Sequence, residues 1–250
     1  MKNLLKRIGF WLLLPLSGVQ GLRLRRTAIR LPEAVGACSG VIGNGEPVHL
    51  LALGDSIVAG VGTGTRERSL PVQFALALAE SRECSVHWYT EGANGANVSD
   101  LLHSLGTLHP DQEADVILIS IGVNDVTGLS SIRRWRTLFE QLVVALRKTW
   151  PSSRVVFAGL PPMGVFPLPP QPLRFTLGQR AATLDAIAAE IISRQPGMLH
   201  IPTEINPMEQ EFCEDGFHPS AESCAYWALM LAQRFEAANL DMPDSATEAR

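Results

Sequence analysis

Leu50-Leu-Ala-Leu53 is an unbroken apolar run closed at once by Gly54, Asp55 and Ser56. Four apolar residues are too few for a helix, and their continuity fits a strand covered on both faces, as in a parallel sheet. A glycine and two small polar residues then place a serine hydroxyl at the carboxyl edge of that sheet. In open α/β sheets this edge is where ligands bind.

The rest of the chain supplies partners for that strand. Val48–Leu53, Val86–Thr90, Val116–Ile121, Arg154–Ala158 and Met198–Ile201 read as five strands. Between them, apolar residues recur at helical spacing. Ser69 is placed to cap a helix reaching Ala79, and Val98–Leu105 forms a short one. Ser131 opens a longer helix that Pro151 stops, another runs from about Thr176 to Arg194, and a last one starts after Pro219. Strand–helix alternation with β-branched strands predicts a parallel sheet with helices on both faces. The fold class is therefore α/β: one three-layer α/β/α domain, flavodoxin-like, with about five parallel strands over residues 48–238. Hydrophobic residues make up 46% of the 250, enough to bury a core of that size.

Read at their carboxyl ends, the strands deliver four polar loops to one edge: Gly54-Asp-Ser56, Glu91-Gly-Ala-Asn-Gly-Ala-Asn-Val98, Gly122-Val-Asn-Asp125 and Asp215-Gly-Phe-His-Pro219. A serine hydroxyl becomes a useful nucleophile only beside a base, and imidazole suits neutral pH. Asp215, three residues before His218, can accept from one ring nitrogen and leave the other for Ser56. Acyl transfer also needs donors aimed at an oxyanion. The amide of Ser56, that of a glycine in the second loop and the side-chain amide of Asn124 are candidates. Asp55 and Asp125 read as structural acceptors of loop backbone. Each residue alone has a plainer role, such as a helix cap for Ser56, a turn cap for Asn124 and a turn acid for Asp215; their convergence argues for chemistry.

These four blocks, in this order, resemble those of the SGNH (GDSL-type) hydrolases, and the resemblance spans Val48 to about Glu236. It implies Ser56 as nucleophile, Asp215 and His218 completing the triad, and Gly95 and Asn124 as oxyanion donors beside Ser56. Gly95 is chosen over Gly92 because the following Ala96-Asn97 aligns better. Ile57 stands where the family's short name has leucine, a conservative departure. The implied activity is hydrolysis of carboxylic esters through an acyl-enzyme, with a small-molecule ester as substrate and no metal or organic cofactor. A thioesterase, a sugar O-acetyl esterase and a catalytically silent acyl- or glycan-binding member are the alternatives. The five filled positions argue against silence.

Two other readings fail on spacing. A nucleophile elbow needs G-x-S-x-G, but Val58 stands where its second glycine should be. A dinucleotide fold needs G-x-G-x-x-G opening a helix, whereas Gly60, Gly62 and Gly64 are evenly spaced. A net charge of −4 gives no electrostatic case for nucleic acid.

Outside the domain, residues 1–30 combine Lys2, Lys6 and Arg7, the apolar Ile8–Leu16, and Arg23, Arg25, Arg26 and Arg30. The start is signal-like, but no small-x-small cleavage site follows and the arginines come at once. The apolar run is shorter than the roughly 20 residues of a span. The expectation is contact with an anionic membrane surface, with export and cleavage or a helix packed on the domain as alternatives. Residues 31–47, rich in glycine and proline, read as a linker, and 239–250 as a flexible tail. The proline-rich Leu160–Pro172 follows the fourth strand and should lie near Ser56, as an apolar wall or as cover for the core. Cys38, Cys84, Cys213 and Cys224 show no metal-type spacing. Cys224 falls on the apolar side of a helix, which favours a buried thiol over a pair with Cys213.

Overall fold

The computed structural model describes residues 2–106, 113–205 and 211–240. In chain order the helices are α1 (Lys2–Thr27), α2 (Leu70–Arg82), α3 (Val98–Leu105), α4 (Val123–Thr127), α5 (Ile132–Thr149), α6 (Leu173–Ile192) and α7 (Ala221–Leu240). The strands are β1 (Ser39–Gly43), β2 (Pro47–Gly54), β3 (Ser85–Gly92), β4 (Val116–Ser120), β5 (Arg154–Ala158) and β6 (Met198–Ile201).

These strands form one sheet in the order β1-β3-β2-β4-β5-β6. The five from β2 onward are parallel, with β2 between β3 and β4. That is the flavodoxin-like order, and its switch point lies between β2 and β4. Side-chain alternation along β2 divides the interior. Leu51 and Leu53 join Ile117, Ile119 and Phe157 under α3, α5 and α6. Leu50 and Ala52 join Val116, Leu118 and Val156 under α2 and α7. A strand covered on both faces has no polar position to spare, which is why its sequence is continuously apolar. Phe139 of α5 meets Phe157 of β5 edge-on at 5.1 Å between ring centres. Truncating either buried ring to alanine should cost about 3–5 kcal/mol.

Local chemistry sets several boundaries. Ser131 accepts from the Arg134 amide at 3.1 Å and caps α5 as expected. Asn97 and Asp100 form a reciprocal capping box at α3. Ser69 differs: it occupies the position before α2, but its hydroxyl donates to the Arg66 carbonyl at 2.6 Å and caps nothing. The five-residue α4 was not expected from the sequence, where Gly122-Val-Asn-Asp125 reads as loop.

Residues 31–47, expected as a linker, contribute β1, which pairs antiparallel with β3 at the sheet edge. Glycines hid this strand. At Gly40 the missing side chain makes room for Trp88, whose ring would lie 2.7 Å from an added Cβ. At the N-terminus, α1 packs against α6, and no helix among the described residues is long and apolar enough to cross a membrane. Of the expected tail 239–250, α7 takes in residues 239 and 240, and 241–250 lie outside the described residues.

Candidate active site

Ser56 sits on a helical turn that leaves β2 directly. The Ala59 amide donates to the Asp55 carbonyl at 3.0 Å and the Val61 amide to the Ser56 carbonyl at 2.9 Å. Asp55 fixes the turn from inside. Its amide donates to the Ser120 carbonyl at the end of β4 at 3.1 Å, and its carboxylate accepts from the Ile57 amide at 3.1 Å. Burial pushes the Asp55 carboxyl up to about 7, against the opposing pull of the Ile57 amide and His218.

His218 arrives on the turn before α7. The Cys213 amide donates to the His218 carbonyl at 2.8 Å, and the Leu168 amide, from the proline-rich excursion, donates to Gly216 at 3.0 Å. The Asp215 carboxylate accepts from the amides of Phe217 at 2.9 Å and His218 at 3.0 Å through Oδ1. Its Oδ2 lies 2.5 Å from Nδ1 of His218. Burial works to raise the Asp215 pKa, but the hydrogen bonds from the His218 ring and these two amides outweigh it and leave it below the ordinary value. An ionised carboxylate can only accept, so the proton of the neutral ring belongs on Nδ1. Nε2 then faces Ser56 Oγ at 3.1 Å as an acceptor. Ser56 and, 162 positions further on, His218 with its near neighbour Asp215 thus form one hydrogen-bonded chain, with Ser56 8% exposed at its end.

The other two loops are stitched together beside it. Asn124 donates one amide hydrogen to the Ala96 carbonyl at 2.9 Å. Asp125 accepts from the Val98 amide at 2.9 Å and from the Ser130 hydroxyl at 2.8 Å. Burial raises the Asp125 pKa, with both of these bonds opposing. The two glycines of the second loop differ in kind. Gly92 is hemmed in, since an added Cβ would lie 2.5 Å from the Ala59 amide nitrogen on the Ser56 turn. Gly95 stands in open space at φ +85°, a conformation that other residues adopt only with strain.

A cavity of about 50 Å³ opens at Ser56 and His218. Its walls are mostly apolar: Ile57, Val123, Pro161, Phe166, Phe212, Phe217 and Trp227, with Ser120, Thr203 and Ser223 adding hydroxyls and Glu204 and Glu211 carboxyl groups. Phe166 packs edge-on against both Phe212 (5.1 Å) and Phe217 (5.4 Å). The proline-rich excursion therefore serves two purposes: Leu160 and Met163 are buried in the core, while Pro161 and Phe166 face the cavity. Phe212 and Trp227 were not singled out in the sequence. Phe217 lies within the Asp215–His218 block, and its neighbourhood to His218 was the available signal. Among the described residues no group of three or more His, Cys, Asp or Glu side chains is arranged to hold a metal ion. All four cysteines are free, and burial pushes the Cys224 thiol up to about 12.

Fold and site define a flavodoxin-like α/β/α protein whose Ser–His–Asp chain lies at the switch point of its sheet. The sequence model of the GDSL-like Lipase/Acylhydrolase family matches residues 52–225. The chain belongs to that family and is a carboxylic ester hydrolase. Among solved structures it is similar to the lipase Lip_vut3 from a goat rumen metagenome, at 18% identity and TM-score 0.62, over 76% of this chain and 97% of that one. It is also similar to the psychrotrophic esterase EstA from Pseudoalteromonas sp., at 14% identity and TM-score 0.57, over 78% and 99% of the two chains. A third similar structure is Est24, a carbohydrate acetylesterase from Sinorhizobium meliloti, at 17% identity and TM-score 0.55, over 76% and 99%. No match emerged among curated protein sequences.

Proposed function

We propose that the chain hydrolyses esters of short acyl groups through an acyl-enzyme on Ser56. The observation that carries this reading is the continuous hydrogen-bonded chain from Ser56 through His218 to Asp215, opening on a small apolar cavity. Nε2 of His218 takes the hydroxyl proton as Oγ attacks the ester carbonyl. Asp215 holds the ring in the tautomer that permits this and stabilises the imidazolium that forms. The oxyanion is received by the amides of Ser56 and Gly95 and by the second Nδ2 hydrogen of Asn124. What supports Gly95 is its open position at positive φ; what supports Asn124 is that Ala96 takes only one of its two amide hydrogens. Collapse of the intermediate breaks the ester C–O bond, and His218 returns its proton to the leaving alcohol. Water, deprotonated by the same ring, then releases the acid and regenerates Ser56.

Cavity size argues for the acyl group. A volume of about 50 Å³ is small beside the ~150 Å³ of an apolar cavity that takes up benzene. That suits an acetyl to butyryl chain against apolar walls. An acetyl preference would also match Est24, described as a carbohydrate acetylesterase. The test is hydrolysis of p-nitrophenyl esters from acetyl to palmitoyl. The expected profile peaks at the shortest chains and falls steeply beyond butyryl. A maximum at palmitoyl would overturn the acyl-size argument while leaving the serine chemistry standing.

A further inference from the structure

The helix α1 packs on its own domain and still leaves large apolar side chains uncovered. Its inward side mixes apolar and polar groups: Leu24 packs on the core under α6, and Ser17 is buried and donates to the Leu13 carbonyl at 2.9 Å. Gln20 donates to the Gln171 carbonyl at 2.8 Å and accepts from the Leu173 amide at 3.1 Å. Val19 is 65% exposed on the far side of α1, with Leu16 (54%) and Leu22 (62%) on the two flanks, Leu16 bordering Pro172 and Phe175 and Leu22 bordering a groove against α4 and α6. Spacings of three make these residues neighbours on one broad stripe. Arg23 and Arg26 are exposed beside it, and among the described residues neither forms an ion pair.

Charge identifies the medium that such a stripe fits. Residues 1–30 hold seven of the 21 Lys and Arg and none of the 25 Asp and Glu, so the remaining chain sets 14 bases against 25 acids. A second copy of this chain would offer that basic stripe either the same basic helix or an acidic body whose exposed apolar surface it would have to match. An anionic bilayer offers negative charge and an apolar boundary together, which is what leucines flanked by arginines engage. We propose that the outward face of α1, centred on Val19 and flanked by Leu16 and Leu22, with Arg23 and Arg26, docks on anionic lipid bilayers.

Flotation of the full chain with vesicles tests this without any use of ester hydrolysis, so its outcome is independent of the proposed reaction. The chain should float with phosphatidylcholine vesicles containing phosphatidylglycerol, and far less with phosphatidylcholine alone. Arg23→Gln with Arg26→Gln should weaken partitioning on the order of 10-fold, and added salt should mimic it. Leu16→Ser with Val19→Ser should weaken it by a similar ~10-fold at either salt level. Unchanged thermal melting of both double variants shows that the fold is kept. Flotation equal in wild type and variants, or absent from both vesicle types, overturns the proposal. So does a wild-type dimer in solution that Leu16→Ser with Val19→Ser dissociates, since that assigns the face to a second copy.

Discussion

Replacing Asp55 with asparagine isolates a carboxyl group that the fold holds in an unusual state. Asp55 is buried on the turn that carries Ser56, and its pKa is pushed from 3.8 to about 7. Below pH 3.8 the carboxyl is protonated in both folded and unfolded chains, and its contribution to stability is complete. As pH rises further, the unfolded chain gives up the proton while the folded one keeps it, so stability falls until the folded pKa is passed. At 1.36 kcal/mol per unit, the loss is about 4 kcal/mol over the whole window and about 3 kcal/mol between pH 5 and pH 8. Asparagine keeps an oxygen for the Ile57 amide and has no proton to lose. Urea unfolding of both proteins at pH 5 and pH 8 provides the measurement. With a slope of about 3 kcal/mol/M, the wild-type midpoint should fall by about 1 M relative to that of Asp55→Asn. Parallel pH dependence in the two proteins would refute the claim that Asp55 is held protonated near neutrality.

Three further outcomes follow from the same geometry. Asn124→Ala should lower turnover by about 10²–10³ with little change in KM, as expected for a donor used mainly in the transition state. Equal losses in binding and turnover would place Asn124 elsewhere. Trp227→Leu shortens a wall of the cavity at Ser56, so the preferred p-nitrophenyl ester should move to a longer acyl chain; an unchanged profile would place the acyl group outside that cavity. Gly95→Ala forces a side chain into φ +85°, at a cost of about 1–2 kcal/mol. Turnover should drop with it, because the amide nitrogen proposed to meet the oxyanion is displaced; turnover at the wild-type level would move that donor to another residue.

What the sequence made legible was what strong local patterns encode. Four of the five parallel strands are short apolar runs, and their alternation with helical patterns fixes the layers before any coordinates are known. The parallel topology then obliges the loops after β2, β3 and β4 to share one edge, so the placing of the Ser56 and Asn124 loops on the same edge follows from connectivity. The turn at Asp215–His218 needed its own motif. What stayed hidden depended on tertiary contacts. β1 has two glycines and no apolar alternation, and it becomes a strand only because β3 offers an unpaired edge and Trp88 needs Gly40 beside it. Ser69 carries the composition of a cap, yet its hydroxyl finds Arg66 first. Phe212 and Trp227 reach the cavity from opposite sides of the His218 turn, and nothing in their local sequence distinguishes them from core residues. The exposed leucines of α1 are likewise unreadable until α6 shows which side faces the domain.

Reaction with a fluorophosphonate, followed by mass spectrometry of the labelled peptide and by ester hydrolysis in Ser56→Ala, tests the proposed reaction most directly. The label should appear on Ser56 alone, and p-nitrophenyl acetate turnover should fall by about 10⁶ in the variant, to the background rate. An unlabelled Ser56, or a variant within tenfold of wild-type turnover, would contradict the acyl-enzyme assigned to it.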